Sequence, residues 1–206
     1  MALRVMDGIS IDVPCAQPGL TLHDVFDSTT IEALAVERSP QEAGAWCYAA
    51  CAEMVITFSF HQTMANQCHI VSLIKAGEDY LDFCCTTNGN ECTFTGCELD
   101  DISRIFDFFQ IGFETSGNAA DPILGPVDLP KLTAEFQAGR PVEVIVDWDD
   151  DGSHAVLVTG VVDDMIFVID PLEDEPYGGW QTVDSLETGF GLGSWARTWP
   201  GLRRLQ

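Results

Sequence analysis

Positive charge is scarce in this chain of 206 residues: nine Lys and Arg stand against 33 Asp and Glu, a formal net charge of −24. A surface that acidic repels phosphate backbones and anionic lipid, which excludes nucleic acid and membrane surfaces as partners. It suits a basic or amine-containing substrate, and equally a salt-adapted or merely soluble surface. Long apolar runs are missing as well. The longest, such as Ala155-Val-Leu-Val and Met165-Ile-Phe-Val-Ile, fall far short of a bilayer span. The N-terminus, Met1-Ala-Leu-Arg-Val-Met-Asp-Gly, lacks the apolar core of a signal peptide. The expectation is a protein that is cytoplasmic at synthesis, with any export by a specialised route. Histidine is rare, at four residues, so general-base chemistry has few places to sit.

Cysteine is abundant by contrast: Cys15, Cys47, Cys51, Cys68, Cys84, Cys85, Cys92 and Cys97. With Cys47 set aside, six of the rest crowd between positions 51 and 97. Three disulfides there allow fifteen connectivities, which sequence does not separate. Disulfides need an oxidising compartment, in tension with the missing signal peptide. Buried thiols are one alternative. Zinc held by Cys84, Cys85, Cys92 and Cys97 is another, although their spacing is not a paired C-x2-C pattern.

Residues 1–39 carry Pro14 and Pro18, with one helix-like stretch near 30–36, and read as an N-terminal extension or arm. Residues 40–206 read as one domain. Ala49, Ala50, Ala52, Glu53 and Met54 after Cys47 are good helix formers. Further helices are predicted over 66–76, over 99–109, where Ile102, Ile105, Phe106 and Phe109 form an apolar stripe, and from an Asp128 N-cap with Pro130 behind it to Gly139. Strands follow at 142–148, 154–162 and 165–170, the last two flanking an Asp163-Asp164 hairpin turn. The later glycines and tryptophans imply loops and short strands. Helices first and strands second predict an α+β fold: an N-terminal helical lobe, a C-terminal antiparallel β lobe, and a cleft between them.

Three segments carry chemistry. In Gln41-Glu-Ala-Gly-Ala-Trp-Cys47, the cysteine falls where a helix begins, and a helix N-terminus favours thiolate over thiol. Gln41 can donate an amide hydrogen bond to an oxyanion, together with the Cys47 N–H. In Ser153-His154-Ala-Val-Leu-Val, His154 opens an apolar strand and can accept the thiol proton. In Val168-Ile-Asp170-Pro171, Asp170 can orient the imidazole, with the acidic run Asp147 and Asp149–Asp151 as rivals. A two-residue turn at 163–164 pairs Leu157 with Asp170 and puts His154 and Asp170 on opposite faces. A bulge or a bent strand end is therefore required. Taken singly, Cys47, Gln41 and His154 each also read as inert.

These segments resemble papain-like cysteine peptidases of the papain-fold clan, in particular the bacterial branch of avirulence-effector proteases and bacteriocin-processing peptidase-like domains. The resemblance rests on Gln41…Cys47, on Trp46-Cys47-Tyr48-Ala-Ala-Cys51-Ala-Glu-Met-Val, on Gln67-Cys68 followed by Cys84-Cys85, and on the His154 and Asp170-Pro171 segments. It covers roughly residues 40 to 185. It implies a papain-like fold, a Cys47–His154–Asp170 triad, Gln41 in the oxyanion hole, Trp180 as a shield for the His–Asp pair, and no cofactor or metal. Tyr48 stands where the family has tryptophan, and Ser153 where a glycine often precedes the histidine. The interval from Cys47 to His154 is shorter than the roughly 130 residues or more of the papain and cathepsin branch. The activity implied is cleavage of peptide or protein substrates through an acyl-enzyme. Transfer of the acyl group from a thioester or amide to an amine or thiol is an alternative on the same residues, and a catalytically silent binding domain a second.

Overall fold

A computed structural model describes residues 33–86, 89–117, 121–172 and 178–206. The arm's first 32 residues lie outside them. Of the helix expected near 30–36, only 33–36 are described, and these carry no helix.

The chain begins its regular structure at Cys47. Helix α1 (Cys47–Phe60) is apolar almost all round, and so it is buried all round: Tyr48 to Ala52 and Met54 to Ile56 are core residues. Helices α2 (Gln67–Lys75), α3 (Gly89–Cys92) and α4 (Leu99–Phe108) follow. The stripe of α4 buries Ile102, Ile105 and Phe106 in the core that surrounds α1, each contributing about 1.5–3 kcal/mol. Next come β1 (Ile111–Gly112), β2 (Ile123–Leu124) and α5 (Leu129–Gln137). Asp128 caps α5 by accepting from the Lys131 N–H at 2.9 Å.

Strands β3 (Val142–Trp148), β4 (Ser153–Val162), β5 (Met165–Ile169), β6 (Gly179–Thr182) and β7 (Gly193–Trp199), with helix α6 (Val183–Glu187) before β7, complete the body, and β8 (Arg203–Arg204) pairs with β1. The main sheet is antiparallel in the order β2-β7-β3-β4-β5-β6. One core unites Ile145, Ala155, Leu157 and Ile169 of the sheet with α1, α2 and α4. The other unites Val144, Val146, Val156 and Val158 with Leu132 and Phe136 of α5 and Leu186 of α6. The α+β prediction and its order of elements hold.

Two features of the sheet differ from a plain reading of the sequence. Strand β7 sits inside the sheet between β2 and β3, although its glycine-rich approach suggests only short pieces. Gly193 explains the close pairing: a Cβ there would lie 1.9 Å from the Asp147 carbonyl oxygen. The β4–β5 hairpin has the expected turn, with Val162 opposite Met165. Its ladder then slips, so that Gly160 faces Phe167 but Val158 faces Val168, leaving Thr159 as a bulge. Continued past Ile169, the slipped register sets Asp170 opposite Val156, two residues from His154 and on the same face. The bulge is what the catalytic reading of the sequence required.

Among the described residues two disulfides are present, Cys68–Cys85 and Cys84–Cys92, rather than the three considered between positions 51 and 97. Cys47, Cys51 and Cys97 are free thiols. With Cys84, Cys85 and Cys92 oxidised, the four-thiolate zinc reading is excluded. Among the described residues, no helix is long and apolar enough to cross a membrane.

Candidate active site

Cys47 is the first residue of α1, so its N–H has no intrahelical acceptor and points out of the helix end. The turn before it is held by Trp46, whose indole N–H donates to the Cys92 carbonyl at 2.8 Å. On the other side of Cys47, the Tyr48 hydroxyl donates to the Thr95 carbonyl at 3.2 Å. Tyr48 therefore ties down the 92–97 loop, which the Cys84–Cys92 disulfide also anchors.

His154 and Asp170 meet as the bulge allows. The imidazole Nε2 lies 2.8 Å from Asp170 Oδ1, and both residues are buried. Oδ1 also accepts from the Leu172 N–H at 2.8 Å. Cys47 is the other group that raises the imidazole's pKa. Since Asp170 occupies Nε2, Nδ1 is the ring nitrogen left for the sulfur. Burial pulls the His154 pKa down. The hydrogen bonds and charges of Asp170 and Cys47 outweigh it and carry the value up to about 9. The Trp148 ring stacks on the imidazole, 5.9 Å between centroids and 16° from parallel. This corrects the expectation for Trp180, which is half exposed and packs edge-on against Phe167. Trp148 was legible as a diagonal neighbour: Val146 pairs with His154, so the residue two places along shares its face.

Cys47, His154 and Gln41 line one cleft of about 360 Å³, with Tyr48, Cys97, Trp148 and Leu172 around them. Gly96 and Cys97, from the loop that precedes α4, complete one side of this lining. The Gln41 amide nitrogen donates to the carbonyls of Ala43 at 2.9 Å and Gly44 at 3.2 Å, which fixes the side chain beside the Cys47 turn. Of the acids considered as partners for the imidazole, Asp147 pairs instead with Arg197 at 3.2 Å.

One group near the cysteine has no counterpart in the sequence reading. Glu143 on β3 is fully buried on the Ile145 face, and neither carboxylate oxygen has a hydrogen-bond partner. Burial first, then Cys47, pushes its pKa well up. The neighbouring Cys51 thiol is also pushed up, by burial first and then by Glu143. A carboxyl whose folded pKa exceeds its unfolded value of about 4.3 costs stability increasingly as pH rises above that value. Glu143→Gln is therefore expected to raise stability by about 1–2 kcal/mol at pH 8 and to do little at pH 4.5. Thermal melts of both proteins at the two pH values check this, and an equal shift at both would refute it.

The sequence profile described as "Papain-like cysteine protease AvrRpt2" matches residues 29–185. The crystal structure of a C39-like peptidase from Bacillus anthracis matches with a TM-score of 0.53 at 13% identity, covering 82% of this chain and 96% of that one. At that identity the likeness shows the fold. No curated protein matches.

Proposed function

The chain belongs to the papain-like cysteine protease family of AvrRpt2, and from that premise we propose that it cleaves peptide bonds through Cys47, with His154, Asp170 and Gln41 as its partners. The observation that carries this reading is His154, hydrogen-bonded to Asp170 in the wall of a cleft that Cys47 and Gln41 also line.

In this mechanism the proton shared by Cys47 and His154 rests on the imidazole, as the raised His154 pKa favours, and Sγ attacks the substrate carbonyl carbon. The carbonyl oxygen gains negative charge and is received by the Cys47 N–H at the head of α1 and by the Gln41 amide, which exchanges its bonds to the Ala43 and Gly44 carbonyls for one to the oxyanion. Collapse breaks the C–N bond, and the imidazolium gives its proton to the departing amine. Water, losing a proton to His154, then attacks the thioester. The product acid leaves and the Cys47 thiol is restored. Asp170 keeps Nε2 engaged throughout, and Trp148 covers the ring. The two disulfides favour an oxidising working compartment.

The test is the rate of iodoacetamide alkylation at Cys47 against pH, resolved by peptide mass spectrometry, in the native chain and in His154→Ala. Native labelling at pH 6.5 is expected to exceed that of the variant by roughly tenfold or more, because an ordinary thiol with a pKa of about 8.5 is mostly protonated there. Equal, slow labelling with an ordinary thiol pH dependence would sink the proposal.

A further inference from the structure

Pro171 has no N–H, and β5 stops at Ile169, so the backbone that carries Asp170 leaves the sheet just where its carboxylate must be held. Three successive carbonyls there are received by one segment from the other end of the sequence. Arg38 Nε donates to the Asp170 oxygen at 2.7 Å, the Gln41 N–H to the Pro171 oxygen at 2.9 Å, and Arg38 Nη2 to the Leu172 oxygen at 2.6 Å.

The same segment is tied at both of its ends. Upstream, the Leu34 N–H donates to the carbonyl of the bulge residue Thr159 at 2.8 Å. Ala33 crosses so close to Gly160 that a Cβ there would lie 2.6 Å from the Ala33 Cα. Downstream, Ser39 donates to Glu53 of α1 at 2.6 Å. The buried Gln67 of α2 accepts from the Glu42 N–H and donates to the Pro40 carbonyl, both at 2.8 Å. Residues 33–42 thus form a strap joining the bulge and the Asp170 turn to the helices. Gln41, near the strap's downstream end, lines the cleft.

We propose that Arg38 is a positioning residue for the thiol site: its guanidinium grips the backbone on both sides of Pro171 and so fixes the Asp170 carboxylate against His154. The inference rests on the reading of Cys47, His154 and Asp170 as the reacting set. A planar fork with two donors in fixed geometry suits two carbonyls two residues apart, and a charged donor makes each bond stronger than a neutral one. The groups that face the imidazole are Cys47 from α1 and Asp170 from the end of β5. Arg38 donates to carbonyl oxygens and so acts through the backbone of 170–172. The strap is therefore part of the working site rather than a lead-in to it.

Arg38→Ala and Arg38→Lys in the full chain test this, each followed by thermal melting and by Cys47 alkylation across pH 6 to 10 beside native protein and His154→Ala. Arg38→Ala is expected to lose on the order of tenfold of the His154-dependent labelling at pH 6.5, because a misplaced orienting group costs that much or more. The upper pH limit of the enhancement is expected to move down. Arg38→Lys, which keeps the charge but not the fork, should fall between, and millimolar guanidinium should restore labelling in Arg38→Ala but not in His154→Ala. A folded Arg38→Ala with the native pH profile overturns the inference. If Arg38→Ala does not fold, a native profile in Arg38→Lys overturns it equally. Native protein without His154-dependent labelling would instead remove the thiol-enzyme reading itself, and this inference with it.

Discussion

Cys47→Ala is expected to remove peptide hydrolysis, with a loss of roughly 10⁴-fold or more in kcat/KM, and to leave the protein folded. Both halves follow from where the residue sits. If Sγ is the atom that attacks, as proposed, alanine leaves no nucleophile, while the residual cleft and oxyanion donors act only on water. Cys47 is partly exposed on the first turn of α1, and alanine is the best helix former, so the truncation leaves little void. His154→Ala should cost a comparable factor. Residues that work as one unit are not additive, so Cys47→Ala/His154→Ala should be no slower than Cys47→Ala alone. Cys51→Ala is the contrast. That thiol is fully buried in the core and held protonated by burial, so its loss should leave the rate within about threefold of native and act on stability instead. Hydrolysis of a quenched fluorescent peptide mixture, with a thermal melt of each variant, reads all four. Activity of Cys47→Ala within tenfold of native would end the case for this sulfur.

The elements that carry these residues were legible because each is announced by local physics. The helix formers after Cys47, the stripe of Ile102, Ile105 and Phe106, the Asp128 cap and the β-branched runs at 142–148 and 154–162 each favour one backbone conformation with short-range information alone. The bulge at Thr159 was required by the sequence argument but not located by it. A slipped residue costs the ladder a pairing and leaves no side-chain signature, and the glycine beside it reads as a strand glycine until Ala33 is seen crossing it. Arg38 was invisible for a different reason. Its partners are carbonyl oxygens, which every residue has, so no residue type marks the far end of the bond. Glu143 runs against the sequence rule outright: a glutamate in a β-branched run predicts an exposed face, and here it is buried without a partner. The cysteines were underdetermined by counting, since the pairing depends on which loops α2 brings together.

Asp170→Ala is expected to lower stability by about 3 kcal/mol at pH 6 and to cut kcat/KM by on the order of 10²–10⁴-fold. The variant leaves the buried imidazole and the Leu172 N–H without their shared acceptor. It also changes the pH dependence in a direction that can be worked out. In the native chain His154 holds its proton to about pH 9, above its unfolded value of about 6.5. A group whose pKa is raised on folding contributes stability that is complete below the unfolded value and is lost as pH rises through the folded one. Native stability should therefore decline between about pH 6.5 and 9, over and above the decline from Glu143. In Asp170→Ala the largest opposing influence, burial, faces only Cys47, so the imidazole loses its proton earlier and that decline should vanish. Asp170→Asn keeps an acceptor for Nε2–H without the charge, so it should retain most of the geometry, still lose on the order of 10²–10⁴-fold in rate, and flatten the decline. Urea melts at pH 6, 7.5 and 9 on native protein and both variants measure the difference. An undiminished decline in Asp170→Ala would mean that this carboxylate does not hold the imidazole, and the orienting role would pass from Asp170 to another group.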